Sequence, residues 1–513
     1  MNGAEALIDA AVKGGVEVCF ANPGTTEMPL VEAMDRSAGM RPVLGLYEGV
    51  CAGAADGYGR MAGKPALVVL HLGPGLAGAV GNLHNARRAG TPILAVVGEH
   101  STWHRGYDPP LAMDIEALAG ASTGWVRTVA SPGDIRESVA EALGQSMRGQ
   151  TATLVFPYDL QQEEVPAGPV PAFTRDAGLI DDALLSEGAR MLKRGGKTLL
   201  LLGGGALGRE GLLAAARIRA KTGCGLMAEN FPARMERGAG MPDVPRVPYL
   251  PEMALEALSG YQAVVFAGAR RPVSFFGYRN VPPLFVEESR ETVDLCRGGG
   301  NGAAVLEGLA ELLGAPAAPP AEGLAQPGTP VVPGGALTPD KVCLALASLQ
   351  PEGAIVVDEA ITTGLAYHAL SAGARPFTLL TLTGGSLGFG MPAATGAAVA
   401  CPDRRVVSFQ ADGAGLYTVQ ALWTQARENL DVTTLVASNG RYDILRYELM
   451  RLGVFSPGPA SSRLTELGGI DWVRVSEGLG VPASSVNTSE GLLRELERAF
   501  GEKGPRLVEM KMP

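Results

Sequence analysis

A chain of 513 residues with 46% hydrophobic residues and a net charge of −10 has room for roughly three domains and offers no basic surface for nucleic acid. Its 70 glycines suit an α/β protein with many tight strand-to-helix turns and exclude a fibrous or disordered chain. No apolar run approaches the ~20 residues that span a bilayer, and the N-terminus MNGAEALIDAAVKGG lacks the basic start and apolar core of a secretion signal. The six cysteines are scattered without CxxC spacing, as small buried hydrophobes of a reducing compartment would be, so a cytoplasmic protein without membrane contact is expected.

Two Pro-rich stretches, Glu163–Asp176 and Ala315–Gly335, predict linkers between domains at 1–165, 177–315 and 336–513. In the first domain, helix Gly3–Lys13 leads to strand Glu17–Ala21 and the turn Asn22-Pro23-Gly24-Thr25-Thr26. Strand Pro42–Tyr47 ends on Glu48, before helix Gly49–Met61, whose Ala52, Ala54 and Ala55 permit close packing. Strand Ala66–Leu70 ends on His71, ahead of Gly73-Pro74-Gly75 and helix Ala77–Arg88, and strand Ile93–Val97 ends on Gly98-Glu99-His100. This alternation predicts a parallel sheet covered by helices. Thr25, Glu48, His71 and Glu99 then sit at or just past carboxyl ends of strands, the edge where such sheets bind ligands. Taken locally, Glu48 is equally an acid at a helix start and His71 a hydrogen-bonded strand-end histidine.

The middle domain opens with strand Thr198–Leu202, the run Gly203-Gly204-Gly205-Ala206-Leu207-Gly208 and a helix over Gly211–Lys221, with Glu229 about 21 residues after the last glycine. A G-x-G-x-x-G pattern with a following acid allows FAD or a nicotinamide nucleotide, but a lone glycine fingerprint is weak and FAD is not expected. Ala263–Gly268 and Thr292–Leu295 read as further parallel strands.

The third domain begins with helix Thr338–Leu349 and strand Ala354–Val357, followed by a turn carrying Thr362 and Thr363. Strand Phe377–Leu382 leads through Thr383–Pro392, rich in glycine, to helix Ala393–Ala400. Strand Val406–Phe409 then delivers Asp412 into Ala411-Asp412-Gly413-Ala414-Gly415; a helix from about Leu416 to Asn429 follows, and strand Thr433–Ala437 ends on Ser438-Asn439-Gly440. A right-handed crossover makes Asp412 and Asn439 neighbours. A carboxylate and an amide oxygen beside a helix start form a site of the kind Mg2+ uses while holding phosphates. An ordinary βαβ unit with a turn Asp and a strand-ending Asn fits this stretch equally well.

Ala411-Asp412-Gly413 with Asn439 matches a G-D-G-x(about 26)-N signature. Asn22-Pro23-Gly24, Glu48 before Ala54-Ala55-Asp56-Gly57-Tyr58, Gly73-Pro74-Gly75 and Gly385-Ser386-Leu387-Gly388-Phe389 stand in matching order. Together they resemble the thiamine diphosphate enzymes of the acetolactate synthase, pyruvate oxidase and benzoylformate decarboxylase superfamily, over essentially the whole chain. The resemblance implies three doubly wound parallel-sheet domains: pyrimidine-binding, central and diphosphate-binding. It implies Mg2+ on Asp412, Asn439 and the Arg441 carbonyl, and thiamine diphosphate on Gly413, Ala414 and Thr362, with Asn22, Pro23 and Tyr442 also against the cofactor. Leu387 would bend the cofactor, the Gly385 carbonyl would accept from its aminopyrimidine, and Glu48 of the partner subunit would touch the pyrimidine ring. A homodimer with intersubunit sites, its dimers pairing into a tetramer, follows.

The implied reaction is decarboxylation and/or carboligation of a 2-oxo acid, with an aldehyde or a second 2-oxo acid as acceptor in the latter. Acetolactate synthesis from pyruvate is an alternative, and a non-catalytic cofactor-binding protein a further one. His71 and Thr25 match substrate-side residues of the benzoylformate branch, Glu48 and His71 being the implied catalytic pair, and Ile444 and Glu448, one turn apart, are expected to face the pocket. Ala411 and Ser438 depart from the signature, Glu99 stands where relatives carry Gln, and Phe266–Tyr278 holds no second histidine.

Overall fold

Short runs rich in valine, leucine and isoleucine, apolar on both faces, assemble into three parallel-dominated sheets whose faces are covered by helices. The computed structural model describes residues 1–166, 168–173, 180–296 and 301–513; the end of the first expected linker, residues 174–176, lies outside them. The first sheet contains β1 (Val18–Ala21), β2 (Arg41–Leu44), β3 (Ala66–Leu70), β4 (Ile93–Glu99), β5 (Trp125–Thr128) and β6 (Thr151–Pro157) in the order β2-β1-β3-β4-β6-β5. The second contains β7 (Thr198–Leu202), β8 (Gly225–Ala228), β10 (Ala263–Ala267) and β11 (Glu291–Asp294), ordered β11-β10-β7-β8.

The third contains β12 (Ala354–Glu359), β13 (Phe377–Thr381), β14 (Val406–Ala411), β15 (Val432–Ser438), β16 (Ala483–Val486) and β17 (Arg506–Lys511), ordered β16-β17-β15-β14-β12-β13, with β9 (Met235–Arg237) added beyond β13. All pairs are parallel except β9–β13, where Met235 opposes Leu379. That edge strand comes from the middle of the chain and ties it to the third sheet.

Each sheet has a point between adjacent strands where the chain's winding direction reverses, and ligands of open α/β sheets bind at such points. In the first, the chain leaves β1 for β2 on one side and returns to β3 on the other; in the third it goes from β12 to β13 and then to β14 on the opposite side. The crevices therefore open beyond Ala21 and Leu70, and beyond Glu359 and Ala411.

Element positions follow the pattern, with shifts of a few residues at the boundaries. Helix Glu48–Ala62 starts on Glu48 itself, and helix Leu72–Ala89 starts well before Ala77, with His71 as its N-cap residue. Strand β4 continues through Gly98 and Glu99, whereas β2 stops at Leu44. Each helix reaches back to the strand end because tight βα turns of glycine and small residues need no extra loop.

The small residues of helix Glu48–Ala62 meet helix Gly390–Ala400 of the third domain at near contact: a methyl on Gly57 would lie 2.0 Å from the Ala393 carbonyl oxygen, and one on Gly396 1.7 Å from that of Ala54. Beside this contact Asp56 and Arg60 form a fully buried ion pair, 2.6 and 2.8 Å long. Arg60 also donates to the Thr381 carbonyl at 2.7 Å and lies 4.5 Å over the Phe389 ring, and Thr91 donates to Asp56 at 2.5 Å. Arg60→Met would strand the Asp56 carboxylate in a dry interface, and a loss of about 3–5 kcal/mol is expected in urea denaturation. Among the described residues no helix is long and apolar enough to cross a membrane.

Candidate functional site

The register of β14 and β15 pairs Ala411 with Ala437, so the chain emerges from adjacent strands at Asp412 and Ser438-Asn439. Asp412 is 3% exposed. Its Oδ1 accepts from the Gly413 N–H at 2.8 Å, and its Oδ2 from those of Asn439 and Gly440 at 3.1 and 2.8 Å. Burial nevertheless raises its pKa above the ordinary carboxylate range, against the pull of these three donors. Asn439 accepts at Oδ1 from the Arg441 N–H at 3.1 Å and donates from Nδ2 to Asp443 at 2.9 Å.

Around this pair lie the other residues expected there. The Tyr442 ring packs on Gly413 so closely that a methyl would come within 2.3 Å of it. Ala414 is buried, and Thr362 occupies the turn after β12, the strand beside β14. The helix expected from Leu416 instead begins at Asp412, as a short turn over Asp412–Gly415, a 3-10 turn over Leu416–Thr418 and then helix Ala421–Arg427. Its first free N–H groups therefore belong to the Asp412 loop itself. Ala411 has φ −81° and ψ 147°, extended backbone open to any residue, so a glycine is not needed there. Among the described residues no three His, Cys, Asp or Glu side chains cluster; the donors at this edge are the Asp412 carboxylate, the Asn439 amide oxygen and main-chain carbonyls, with Asp443 behind Asn439. An all-oxygen set of this kind suits a hard cation.

At the edge of the first sheet, β1 and β3 are neighbours and bring Asn22-Pro23-Gly24 beside His71. The group that organises them is Glu27, which the sequence reading passed over. Glu27 is fully buried; its Oε2 lies 2.7 Å from His71 Nδ1 and accepts from the Gly24 N–H at 2.9 Å, while its Oε1 accepts from the Thr26 hydroxyl at 2.5 Å. With Nδ1–H donating to Glu27, Nε2 is the free nitrogen of the ring. Space for the pair comes from glycines: a methyl on Gly98 would lie 1.7 Å from Glu27 Oε1, and one on Gly24 2.2 Å from His71 Nδ1. The acid three residues after Gly24 is the spacing of a helix-start capping pair, the one sequence signal that pointed to Glu27. Thr25 is exposed within the chain, while the hydroxyl nearest His71, at 3.4 Å, belongs to its neighbour Thr26.

Glu48 and His71 come together around Gly75, where a methyl would be 3.3 Å from Glu48 Oε1 and 3.2 Å from His71 Cβ; Glu48 Oε2 lies over Gly78 in the same way. Glu99 is buried and accepts from the His100 N–H at 2.6 Å. Two further residues missed in the sequence, Asn82 and Asn85, hold the third domain's glycine loop: they donate to the carbonyls of Gly388 and Ser386 at 3.1 and 2.8 Å. In that loop Gly385 has φ +74°, and Leu387 packs half-buried against the shared core. Among the described residues no hydrogen bond joins the Glu27–His71 group to the Asp412–Asn439 group. One chain carries both half-sites, at different edges.

The middle sheet has a switch point as well, between β7 and β10. A cavity of about 1210 Å3 opens there, lined by Arg88, Arg148, Arg270 and Arg271 among others. Glu229, the acid that follows the glycine run, accepts from the loop's own Gly204 N–H at 3.1 Å, and burial pushes its pKa up to about 7.

Residues 1–120 match the model of the thiamine pyrophosphate enzyme N-terminal TPP binding domain, and residues 363–510 that of the C-terminal TPP binding domain. A Mycobacterium tuberculosis protein named as an acetolactate synthase large subunit, IlvX, is 46% identical over 519 residues, covering 100% of this chain and 99% of that protein. Benzoylformate decarboxylase of Pseudomonas aeruginosa is 29% identical, covering 97% of this chain and 96% of its own. In fold, the chain superimposes on the thiamine diphosphate-dependent 4-hydroxybenzoylformate decarboxylase of Rhodococcus jostii RHA1 with a TM-score of 0.86 at 24% identity, over 100% of this chain and 99% of the other.

Proposed function

The chain belongs to the thiamine pyrophosphate enzyme family, and within it we propose a thiamine diphosphate- and Mg2+-dependent enzyme that decarboxylates a 2-oxo acid and/or ligates the product to a second carbonyl compound. The observation that carries this reading is the pairing of Asp412 and Asn439 at the third sheet's switch point, together with Glu48 and the Glu27–His71 pair at that of the first. The residues fit the cofactor: Asp412 is a desolvated carboxylate whose neighbours are N–H donors and oxygens, with no cation among them. Asp412, Asn439 and the Arg441 carbonyl would hold Mg2+; Gly413, Ala414 and Thr362 would receive the diphosphate, and Asn22, Pro23, Gly385, Leu387 and Tyr442 would line the rest. When bound, thiamine diphosphate supplies the carbon nucleophile and the electron sink for the departing carbon dioxide.

The chain's own groups do the positioning and proton work. Glu48 holds a proton for a pyrimidine ring nitrogen. His71, its Nδ1 tied to Glu27, presents Nε2 to pass a proton to or from the reacting carbon or oxygen. Thr26 keeps Glu27 oriented. Large apolar side chains exposed near both half-sites support a homodimer in which each site joins halves of two subunits: Leu46 and Met113 by the first, Leu416, Tyr417 and Leu445 by the third. Pairing of such dimers into a tetramer and a cytoplasmic location complete the reading, and the free cysteines suit a reducing compartment.

Release of carbon dioxide from a panel of 2-oxo acids, with and without acceptor aldehydes, is expected to require both added cofactors. No release from any member would refute the proposal. Acetolactate accumulating from pyruvate would select the acetolactate synthase alternative, which the 46% identity to IlvX favours.

A further inference from the structure

Helix Leu72–Ala89 starts from His71 and carries two buried asparagines farther along, Asn82 and Asn85. At 1.5 Å per residue the helix sets Asn85 roughly 21 Å from His71. Every polar atom of the Asn85 side chain is engaged. Its Nδ2 donates to Asn82 Oδ1 at 3.0 Å and to the Ser386 carbonyl at 2.8 Å, and its Oδ1 accepts from the Ser386 N–H at 3.2 Å. The Asn85 carbonyl accepts from the Thr383 hydroxyl at 2.7 Å. Asn82 Nδ2 bridges the carbonyls of Gly49 and Gly388, at 2.8 and 3.1 Å. The loop is shaped to this contact, since a methyl on Gly384 would lie 2.6 Å from Asn85 Oδ1.

The same loop is held from its own domain by Glu359, the buried last residue of β12. Glu359 Oε1 accepts from the N–H groups of Gly388 and Phe389 at 2.8 and 3.1 Å, and its Oε2 from the Gly390 N–H at 2.8 Å and from Gln410 Nε2 at 2.6 Å. Gln410 lies on β14, the strand that delivers Asp412, so the loop moves with the Asp412 half-site. Between the two clamps the peptide groups of Ser386 and Gly388 are tied on both their N–H and carbonyl sides. Among the described residues nothing donates to the carbonyls of Gly385 and Leu387. Those two residues are the ones the cofactor reading sets against the aminopyrimidine. A buried amide whose hydrogen bonds are all made fixes what it touches, because any displacement strands a polar group away from water.

We infer that Asn85, supported by Asn82, is a positioning residue for the active site that the His71 of its own helix does not serve: it sets Gly385 and Leu387 of its chain in the site completed by Glu48 of the partner subunit. This rests on the intersubunit reading above. One helix then serves both sites of the dimer, one through His71 at its start and the other through Asn85.

Two mixed dimers carrying the same two changes in different arrangements test it. With Glu48→Gln on one chain and Asn85→Ala on the other, both changes fall in one site, and carbon dioxide release at about half the parent rate per dimer is expected. With both changes on one chain and a parent partner, each site carries one defect. Release below about a tenth of the parent rate is then expected, since misplacing a group by about 1 Å costs about 100-fold. A general loss of stability would lower both dimers alike. Equal rates, or the reverse order, would overturn the inference. Asn85→Ser, which keeps a smaller hydrogen-bonding group, is expected to give the same order in weaker form and serves where Asn85→Ala does not fold. The dimer with Glu48→Gln and Asp412→Ala on separate chains is the control: inactivity there would refute the intersubunit reading, and the assignment of Asn85 to the opposite site with it. Hydrogen exchange followed by mass spectrometry reads the clamp without turnover. In the Asn85→Ala holoenzyme, peptides covering residues 384–390 are expected to exchange about tenfold faster or more, while those covering residues 71–78 keep the parent rate. Unchanged exchange at 384–390 would overturn the inference whatever the activity.

Discussion

Glu48→Gln is expected to lower kcat by about 10²–10⁴-fold, the range that a positioned proton-transfer group contributes. The carboxyl lies over Gly75 and Gly78, which have no side chains to cover it, so a planar ring can approach its oxygens directly. Glutamine keeps the shape and can still donate a hydrogen bond, but it cannot give up and retake a proton. Cofactor affinity should change far less than kcat, because Glu48 and the diphosphate-binding residues lie at different sheet edges. Single-turnover kinetics with saturating cofactor separate the two effects. A variant with undiminished kcat would remove Glu48 from the mechanism.

Asp412→Asn is expected to weaken Mg2+-dependent binding of thiamine diphosphate by more than the roughly 10–100-fold that loss of a supporting partner costs a metal site. The charge is the reason. Burial raises the Asp412 pKa, so in the folded chain without a cation this carboxyl holds its proton more tightly than in the unfolded chain. Its contribution to stability is therefore present at low pH and is lost as pH rises through the folded-state pKa. A divalent cation reverses this by favouring the carboxylate, and protons compete with it. Cofactor affinity measured by calorimetry should fall as pH drops toward that raised pKa, and the variant should lose this pH dependence along with the binding. Unaltered Mg2+-dependent affinity in Asp412→Asn would place the cation elsewhere.

What was legible in the sequence was mostly local. Strands such as Ala66–Leu70 announce themselves as apolar runs ending in polar residues, and the Ala411–Gly415 and Ser438–Gly440 turns place Asp412 and Asn439 together once a right-handed crossover is assumed. The small residues of the Glu48 helix correctly pointed to close packing, though not to its partner, the Gly390 helix. Contacts set by tertiary structure were not readable. Glu27 takes its role from Gly98, far along the chain, and Tyr278 finds Glu448 across 170 residues. The substitution of Ala411 for glycine looked like a departure because the sequence carries no dihedral angle; at φ −81° it costs nothing. Glu229 has the spacing of a ribose ligand, and the sequence does not show that its carboxyl also accepts from the Gly204 N–H across the glycine loop.

The central claim is that each site joins the Glu48–His71 half of one subunit to the Asp412–Asn439 half of another. Co-expression of differently tagged Glu48→Gln and Asp412→Ala chains, each inactive alone, followed by tandem purification of the mixed dimer, tests it most directly. One of the two sites in that dimer combines both intact halves, so carbon dioxide release at about half the parent rate per dimer is expected. A mixed dimer as inactive as its two parents would contradict the account.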